Sequence, residues 1–203
     1  MTGNNSLKIG GILLAAGGSS RMRTPKQFAE FEGKTLLRRA AESMSASICD
    51  PVIAVLGDEN SRAENELADL RFQLRFNHEW KSGMSSSIKL GLWELVSLEP
   101  VIDAVLITLC DQLFVDTQAL DRLTDRFLET QTRMVAAKYG DVIGVPAIFP
   151  RDKFKHLLML EGDKGAREIL RDPRAIVETI EIEEAAVDID TIDDLDRLKS
   201  SEL

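Results

Sequence analysis

IGGILLAAGGSSRMRTPK, residues 9–26, carries a short apolar run, Ile12, Leu13 and Leu14, straight into Ala15-Ala16-Gly17-Gly18-Ser19-Ser20, with Arg21 and Lys26 just beyond. The run is too short and too closely bounded by glycine for a helix, so it reads as a buried strand emptying into a tight loop. Glycines carry no Cβ, and backbone N–H groups beside them can approach a ligand closely. A row of such amides suits phosphate oxygens. Arg21 and Lys26 add fixed charge at the same place, the first as a planar fork and the second as a point charge. The stretch therefore predicts a nucleotide phosphate loop. It is neither GxGxxG nor GxxxxGK followed by Ser or Thr, so both the dinucleotide fingerprint and the Walker loop are excluded.

The rest of the chain must supply a sheet for that strand. At 203 residues it is long enough for one substantial core. An apolar fraction of 44% and a mean hydropathy of -0.10 are those of an ordinary globular protein. No apolar run approaches the roughly 20 residues that cross a bilayer. The start, MTGNNSLK, lacks a basic segment followed by an apolar one, and a cytoplasmic location is expected. Residues 1–6 are expected to be flexible and residues 7–203 to form a single domain. Net charge of -9 argues against nucleic acid and anionic membranes as partners, although a local cation cluster still suits an anionic substrate. Cys49 and Cys110 form no metal-type cluster, and Cys110 reads as a small buried residue.

Working outward, residues 35–44 place Leu36, Leu37, Ala40, Ala41 and Met44 at helical spacing, and residues 52–56 form a second apolar strand. A polar helix over residues 60–70 and a half-exposed strand over residues 72–76 follow. Gly83 then provides a turn ahead of a helix marked by Ile88, Leu92, Leu95 and Val96, with Ser85, Ser86 and Ser87 placed to cap it. A helix start with hydroxyls and open amides predicts a second anion or ribose site. Residues 103–111, DAVLITLCD, read as a central strand that delivers Asp111 to the carboxyl edge, where open α/β folds bind ligands. Another helix covers residues 120–128. Strands are predicted at residues 134–137, 145–149 and 176–180, with Lys138-Tyr139-Gly140-Asp141 between the first two and short helices over 154–160 and 166–170. The end, Val187-Asp188-Ile189-Asp190-Thr191, leads into a helix that Thr191 and Asp194 can close as a capping box. The alternation predicts an α/β fold: one doubly wound, Rossmann-like, mostly parallel sheet with helices on both faces.

Asp111 and the pair Asp188/Asp190 each follow an apolar run. If both edges face one crevice, two carboxylates converge on Mg²⁺, which takes oxygen ligands and the substrate's phosphates. Loop, cations and carboxylates together describe phosphoryl chemistry by positioning and charge neutralisation. No Ser/His/Asp triad suggests itself, and His78 and His156 read as surface or packing residues, so direct in-line displacement is the expected course. Lys26 and Asp111 must then open onto the same crevice.

LAAGGSSRMRTPKQ (14–27), NHEWKSGMSSSIKLGL (77–92), Cys110-Asp111-Gln112, GDKGAR (162–167) and DIDT (188–191) stand in the order of five motifs. They resemble those of the MobA-like nucleotidyltransferase superfamily, which includes the molybdenum cofactor cytidylyltransferases. The resemblance implies a fold of the nucleotide-diphospho-sugar transferase type. It implies that Leu14, Ala15, Ala16, Gly17, Gly18, Arg21, Lys26, Gly83, Ser85 and Ser86 bind the nucleotide, with Arg21, Lys26 and Asp111 catalytic. Asp111 and Asp190 would hold Mg²⁺, with Asp190 favoured over Asp188 because it directly precedes the threonine. Gly144, Pro146, Asp163 and Arg167 fall in further motifs of that pattern. Ala16 matches the LAAG of the cytidylyltransferases, where the guanylyltransferases carry glycine, and implies CTP. The implied acceptor is a molybdopterin-type phosphate, and the implied partner is a client molybdoenzyme. Arg23, Leu113 and Val145 depart from the pattern, Val145 standing where histidine is usual. Alternatives are transfer to a sugar or polyol phosphate, a GTP-using guanylyltransferase, and a non-catalytic nucleotide or cofactor carrier.

Overall fold

The computed structural model of the chain describes residues 7–17, 25–57, 61–131, 133–189 and 191–201. At its centre is strand β1 (Ile9–Ala15), buried along its whole length. It has a strand on either side and helices on both faces. Ile12 and Leu14 pack toward one face, Leu13 and Ala15 toward the other. That double burial is why the segment is a continuous apolar run rather than an alternating one.

After β1, two short strands, β2 (Glu30–Phe31) and β3 (Lys34–Thr35), form a separate hairpin. Thr35 then caps α1 (Leu36–Ala46), its hydroxyl accepting from the Arg38 N–H at 3.0 Å. Next come β4 (Val52–Leu56), α2 (Ser61–Leu67), β5 (Gln73–Phe76), α3 (Met84–Leu98), β6 (Ala104–Leu109) and α4 (Thr117–Thr130). The last third holds β7 (Met134–Tyr139), β8 (Val142–Pro150), α5 (Phe154–Leu158), α6 (Arg167–Leu170), β9 (Val177–Glu181) and α7 (Ile192–Ser201).

The main sheet runs β5-β4-β1-β6-β8-β7-β9. β1 pairs in parallel with β4 and β6, β4 with β5, and β7 with β9. β8 alone runs the other way, antiparallel to both β6 and β7. The sequence pattern assigns Lys138 and Tyr139 to a connection, but they belong to β7, which leaves only Gly140 and Asp141 to join it to β8. So short a link fits an antiparallel neighbour and not a parallel crossover. Gly140 makes the reversal at φ 55°, a value most side chains resist. Both strands are buried, and a buried run reads the same in either direction, so the pattern does not reveal the reversal.

Helix α3 covers one face through Ile88, Leu92 and Leu95, against Ile12, Val55 and Ile107. All three side chains are fully buried, each contributing about 1.5–3 kcal/mol. The other face carries α1 and α2 over Leu13, Ala54 and Leu56, and α4 over Leu106, Val135 and Ile148. Thr191 and Asp194 close the predicted capping box at α7: Asp194 Oδ2 accepts from the Thr191 N–H at 2.8 Å, and Thr191 Oγ1 accepts from the Asp194 N–H at 3.2 Å. Ile189 and Leu195 bury themselves with Phe31, Leu36 and Leu113, which brings the tail back beside the carboxyl edge of the sheet. Among the described residues, no helix is long and apolar enough to cross a membrane.

Candidate functional site

Parallel strands deliver their ends to one edge, and at the ends of β1 and β6 the chain opens a cavity of 380 Å³. Leu14, Ala16 and Gly17 line it from β1 and its loop, and Leu109 and Asp111 from β6. Lys26 enters from a single helical turn, residues Lys26–Phe28. Phe28 fixes that turn by burying itself against Leu13 and Leu37. The lysine stem lies against Gly17: a Cβ there would sit 3.3 Å from Lys26 Cε.

Lys26 Nζ donates to Asp111 Oδ2, an ion pair whose side chains keep only 16% and 13% of their exposure. The other oxygen, Asp111 Oδ1, is buried with no hydrogen-bond partner. An unsatisfied carboxylate oxygen on a cavity wall fits a hard divalent cation, which combines one or two carboxylates with substrate phosphates. Among the described residues, no group of three or more His, Cys, Asp or Glu is arranged around a metal position. Gly18, Arg21 and Asp190 lie outside the described residues. Asp188 is exposed on the tail, which is stitched to the same edge: Gln112 and Asp188 form a bridge, and the Ile189 N–H donates to the Asp111 carbonyl at 3.0 Å.

The start of α3 forms the facing wall. Gly83 is its cap residue, at φ 110° and ψ 173°, and a Cβ there would stand 2.3 Å from the Gly162 carbonyl. That conformation is almost exclusive to glycine. The serines therefore do not cap the helix as expected; they form its first turn. The Ser85 amide is taken by the Gly162 carbonyl at 3.1 Å, so it is not one of the open amides expected at this helix start.

Met84 and Ser87, three residues apart and so on one side of the helix, face the cavity. Ser85 and Ser86 line a neighbouring depression with Asn77, Lys89 and Trp93. Asn77 Nδ2 donates to both Ser86 Oγ and Ser87 Oγ, at 2.8 and 2.9 Å, which leaves the Ser87 hydroxyl its own proton to donate. Ser87, Met84, Trp80, Lys81 and Leu109 were missed as wall residues. The helical period, counted from Gly83, singles out Ser87. Asp163 reaches the cavity from the loop that rests on Gly83. Ala15 is buried on the opposite face of the sheet.

Beyond Asp111 the edge continues into the β7–β8 hairpin. Gln112 Nε2 donates to the Val145 carbonyl at 2.8 Å and to the Ala185 carbonyl at 3.2 Å, tying strand, hairpin and tail together. Gly144 and Pro146 are buried there, and the Tyr139 hydroxyl lies over Gly144. Burial raises the Tyr139 phenol above its usual range, and the Asp188 charge adds to the shift, while Arg167 and Arg171 oppose it. Arg167 is held by the Ile143 carbonyl at 3.2 Å and is not among the residues that line the cavity. His78 and His156 are exposed, and both cysteines are buried free thiols. Burial pushes Cys49 up to about 11, and burial with Asp111 alongside raises Cys110 too, so neither is a nucleophile at neutral pH.

This fold and edge cavity are those of a nucleotidyltransferase-type α/β protein. The chain belongs to the MobA-like NTP transferase domain family, whose model matches residues 11–179. It is 30% identical over 206 residues to nicotine blue oxidoreductase of Paenarthrobacter nicotinovorans, covering 94% of this chain and 96% of that one. The crystal structure of Rv0371c from Mycobacterium tuberculosis H37Rv is similar at a TM-score of 0.80 and 28% identity, over 96% of this chain and 99% of that one. A complex of Rv0371c with manganese is similar at a TM-score of 0.74 and 26% identity, over 96% and 99% of the two chains.

Proposed function

We propose that the protein transfers CMP from CTP to the terminal phosphate of a molybdopterin-type cofactor and releases pyrophosphate. Residues 7–203 would act as one nucleotidyltransferase domain in the cytoplasm, handing product to a client molybdoenzyme. The observation that carries the reading is the Lys26–Asp111 pair on the wall of the β1–β6 cavity, a cation for phosphate beside a carboxylate for a metal.

Lys26, the Gly17 amide and, in the loop, Gly18 and Arg21 hold the triphosphate. Ser87 and the backbone at Gly83 face the nucleoside, and the Ala16 methyl narrows the space beside the base in a way that suits a pyrimidine. Asp111, with Asp190 as its partner, would hold Mg²⁺, which when bound neutralises charge on the phosphates. Direct attack of the acceptor phosphate on the α-phosphorus then needs no nucleophile from the protein, consistent with buried cysteines and exposed histidines. Gly144, Val145 and Pro146, with Arg167, line the acceptor's side.

The test is pyrophosphate release with CTP, GTP, ATP and UTP in the presence of Mg²⁺ and molybdopterin cofactor. CTP alone is expected to support it; a preference for GTP overturns the base assignment. A second reading follows from the relative at 30% identity, an oxidoreductase by name. Redox turnover without release of pyrophosphate from any triphosphate and acceptor would favour it.

A further inference from the structure

The Lys26 ammonium sits on the carboxylate that a divalent cation would need. Both groups are largely shielded from water, so their attraction exceeds that of a surface pair. A divalent cation approaching Asp111 meets an ammonium already in contact with Oδ2, and only Oδ1 lacks a partner. With the ammonium still on Oδ2, a divalent cation at Asp111 sets two positive charges side by side in a shielded site, which is costly until an anion draws the ammonium off. A triphosphate is such an anion. The stem of Lys26 lies along Gly17, where a Cβ would stand 3.3 Å from its Cε.

We infer that Lys26 is an internal counterion coupling two ligands: it closes Asp111 to a divalent cation until a triphosphate draws the ammonium away. The inference rests on the nucleotide reading of this cavity and adds an order to it, with metal alone bound weakly and metal with nucleotide bound well. Linkage makes the effect reciprocal, so the metal strengthens nucleotide binding by the same factor.

The experiment is a Mn²⁺ titration of the full chain without nucleotide, followed by the paramagnetic resonance of the free ion, alongside calorimetric CTP binding in EDTA. Lys26→Met is expected to tighten Mn²⁺ binding about tenfold or more and to weaken CTP binding by a similar factor. A damaged fold would weaken both, so effects of opposite sign mark the counterion. Lys26→Arg, which keeps the charge, is expected to bind Mn²⁺ as weakly as wild type; a gain there equal to that of Lys26→Met overturns the inference. Adding Asp111→Asn to Lys26→Met should abolish the gain. Equal Mn²⁺ affinity in wild type and Lys26→Met also overturns it, yet leaves the nucleotide reading standing if Mn²⁺ still tightens CTP binding. Failure to bind CTP with or without Mn²⁺ removes the nucleotide reading itself.

Discussion

The carboxyl edge of the sheet has two halves that meet at Asp111, and they are built on different rules. On the β1 side the cavity has backbone set by two glycines, Gly17 under the Lys26 stem and Gly83 pressed on the Gly162 carbonyl, with Lys26 and Lys81 as its cations. On the β8 side, beyond the cavity, the edge is held by side chains, with Tyr139 over Gly144, Arg167 on the Ile143 carbonyl, and Gln112 clamping the Val145 carbonyl. Backbone geometry leaves few choices of residue. Side-chain geometry leaves many, and Val145, which departs from the resembled motif, stands on that side. On the proposed function, the difference would let one half recognise something common to many substrates, a triphosphate, while the other could be retuned for the acceptor.

The largest expected effect breaks the first half. Lys26→Ala or Asp111→Ala should lower the rate of pyrophosphate release by about 10²–10³, the size of a lost electrostatic group in a shielded site, with the fold retained at a lower thermal midpoint because one charge of the pair is left uncompensated. Arg167→Gln, on the other half, should raise the acceptor KM about tenfold and leave CTP affinity as it is. Should Arg167→Gln weaken CTP binding as much as Lys26→Ala does, the division of the edge is wrong.

Next in size is Gly83→Ala. The backbone there is in a region that costs a residue with a Cβ about 1–3 kcal/mol. The new methyl would also stand 2.3 Å from the Gly162 carbonyl, and backbone cannot turn aside as a flexible side chain can. A loss of roughly 3 kcal/mol or more in urea unfolding is expected, together with weaker CTP binding. A near-neutral outcome would show that the facing wall is pliable.

What could be read beforehand follows the same division. The apolar runs of β1, β4 and β6, and the helical spacing in α1, α3 and α4, are signals of burial, and burial is what the sheet imposes; these elements were legible. So was the delivery of Lys26 and Asp111 to one cavity, because both follow from strands that end at the same edge. The direction of β8 was not legible, since apolar content carries no direction and only the two-residue link at Gly140 and Asp141 decides it. Nor was the β2–β3 hairpin, whose strands are too short to show a period. The motif resemblance implies nucleotide binding by Ser85 and Ser86. Helical geometry instead brings Ser87 to the cavity wall and turns Ser85 and Ser86 toward the next depression.

A smaller effect sharpens the second half. Gly144→Ala brings a methyl to 2.5 Å from the Tyr139 hydroxyl. Forced overpacking of this kind costs about 1–3 kcal/mol. Because the conflict is with the hydroxyl, Tyr139→Phe should recover most of the loss, and a double-mutant cycle measures the coupling. Additive losses would mean that the phenol moves away freely and does not roof this side.

The smallest effect concerns the tail that joins the two halves. Thr191 and Asp194 exchange hydrogen bonds at the start of α7, and α7 holds Leu195 in the cluster with Ile189 and Phe31. Ile189 in turn donates to the Asp111 carbonyl, so the cap and the site are connected through a single short segment. Thr191→Ala removes the hydroxyl and should cost about 1 kcal/mol, as lost caps do. In a chain of this length that is a fall of about 2–4 °C in the thermal midpoint. Thr191→Ser keeps the oxygen and should stay close to wild type. If the midpoint holds still while hydrogen exchange in residues 192–201 accelerates, α7 opens on its own, and its docking contributes to the placement of the tail rather than to the stability of the sheet.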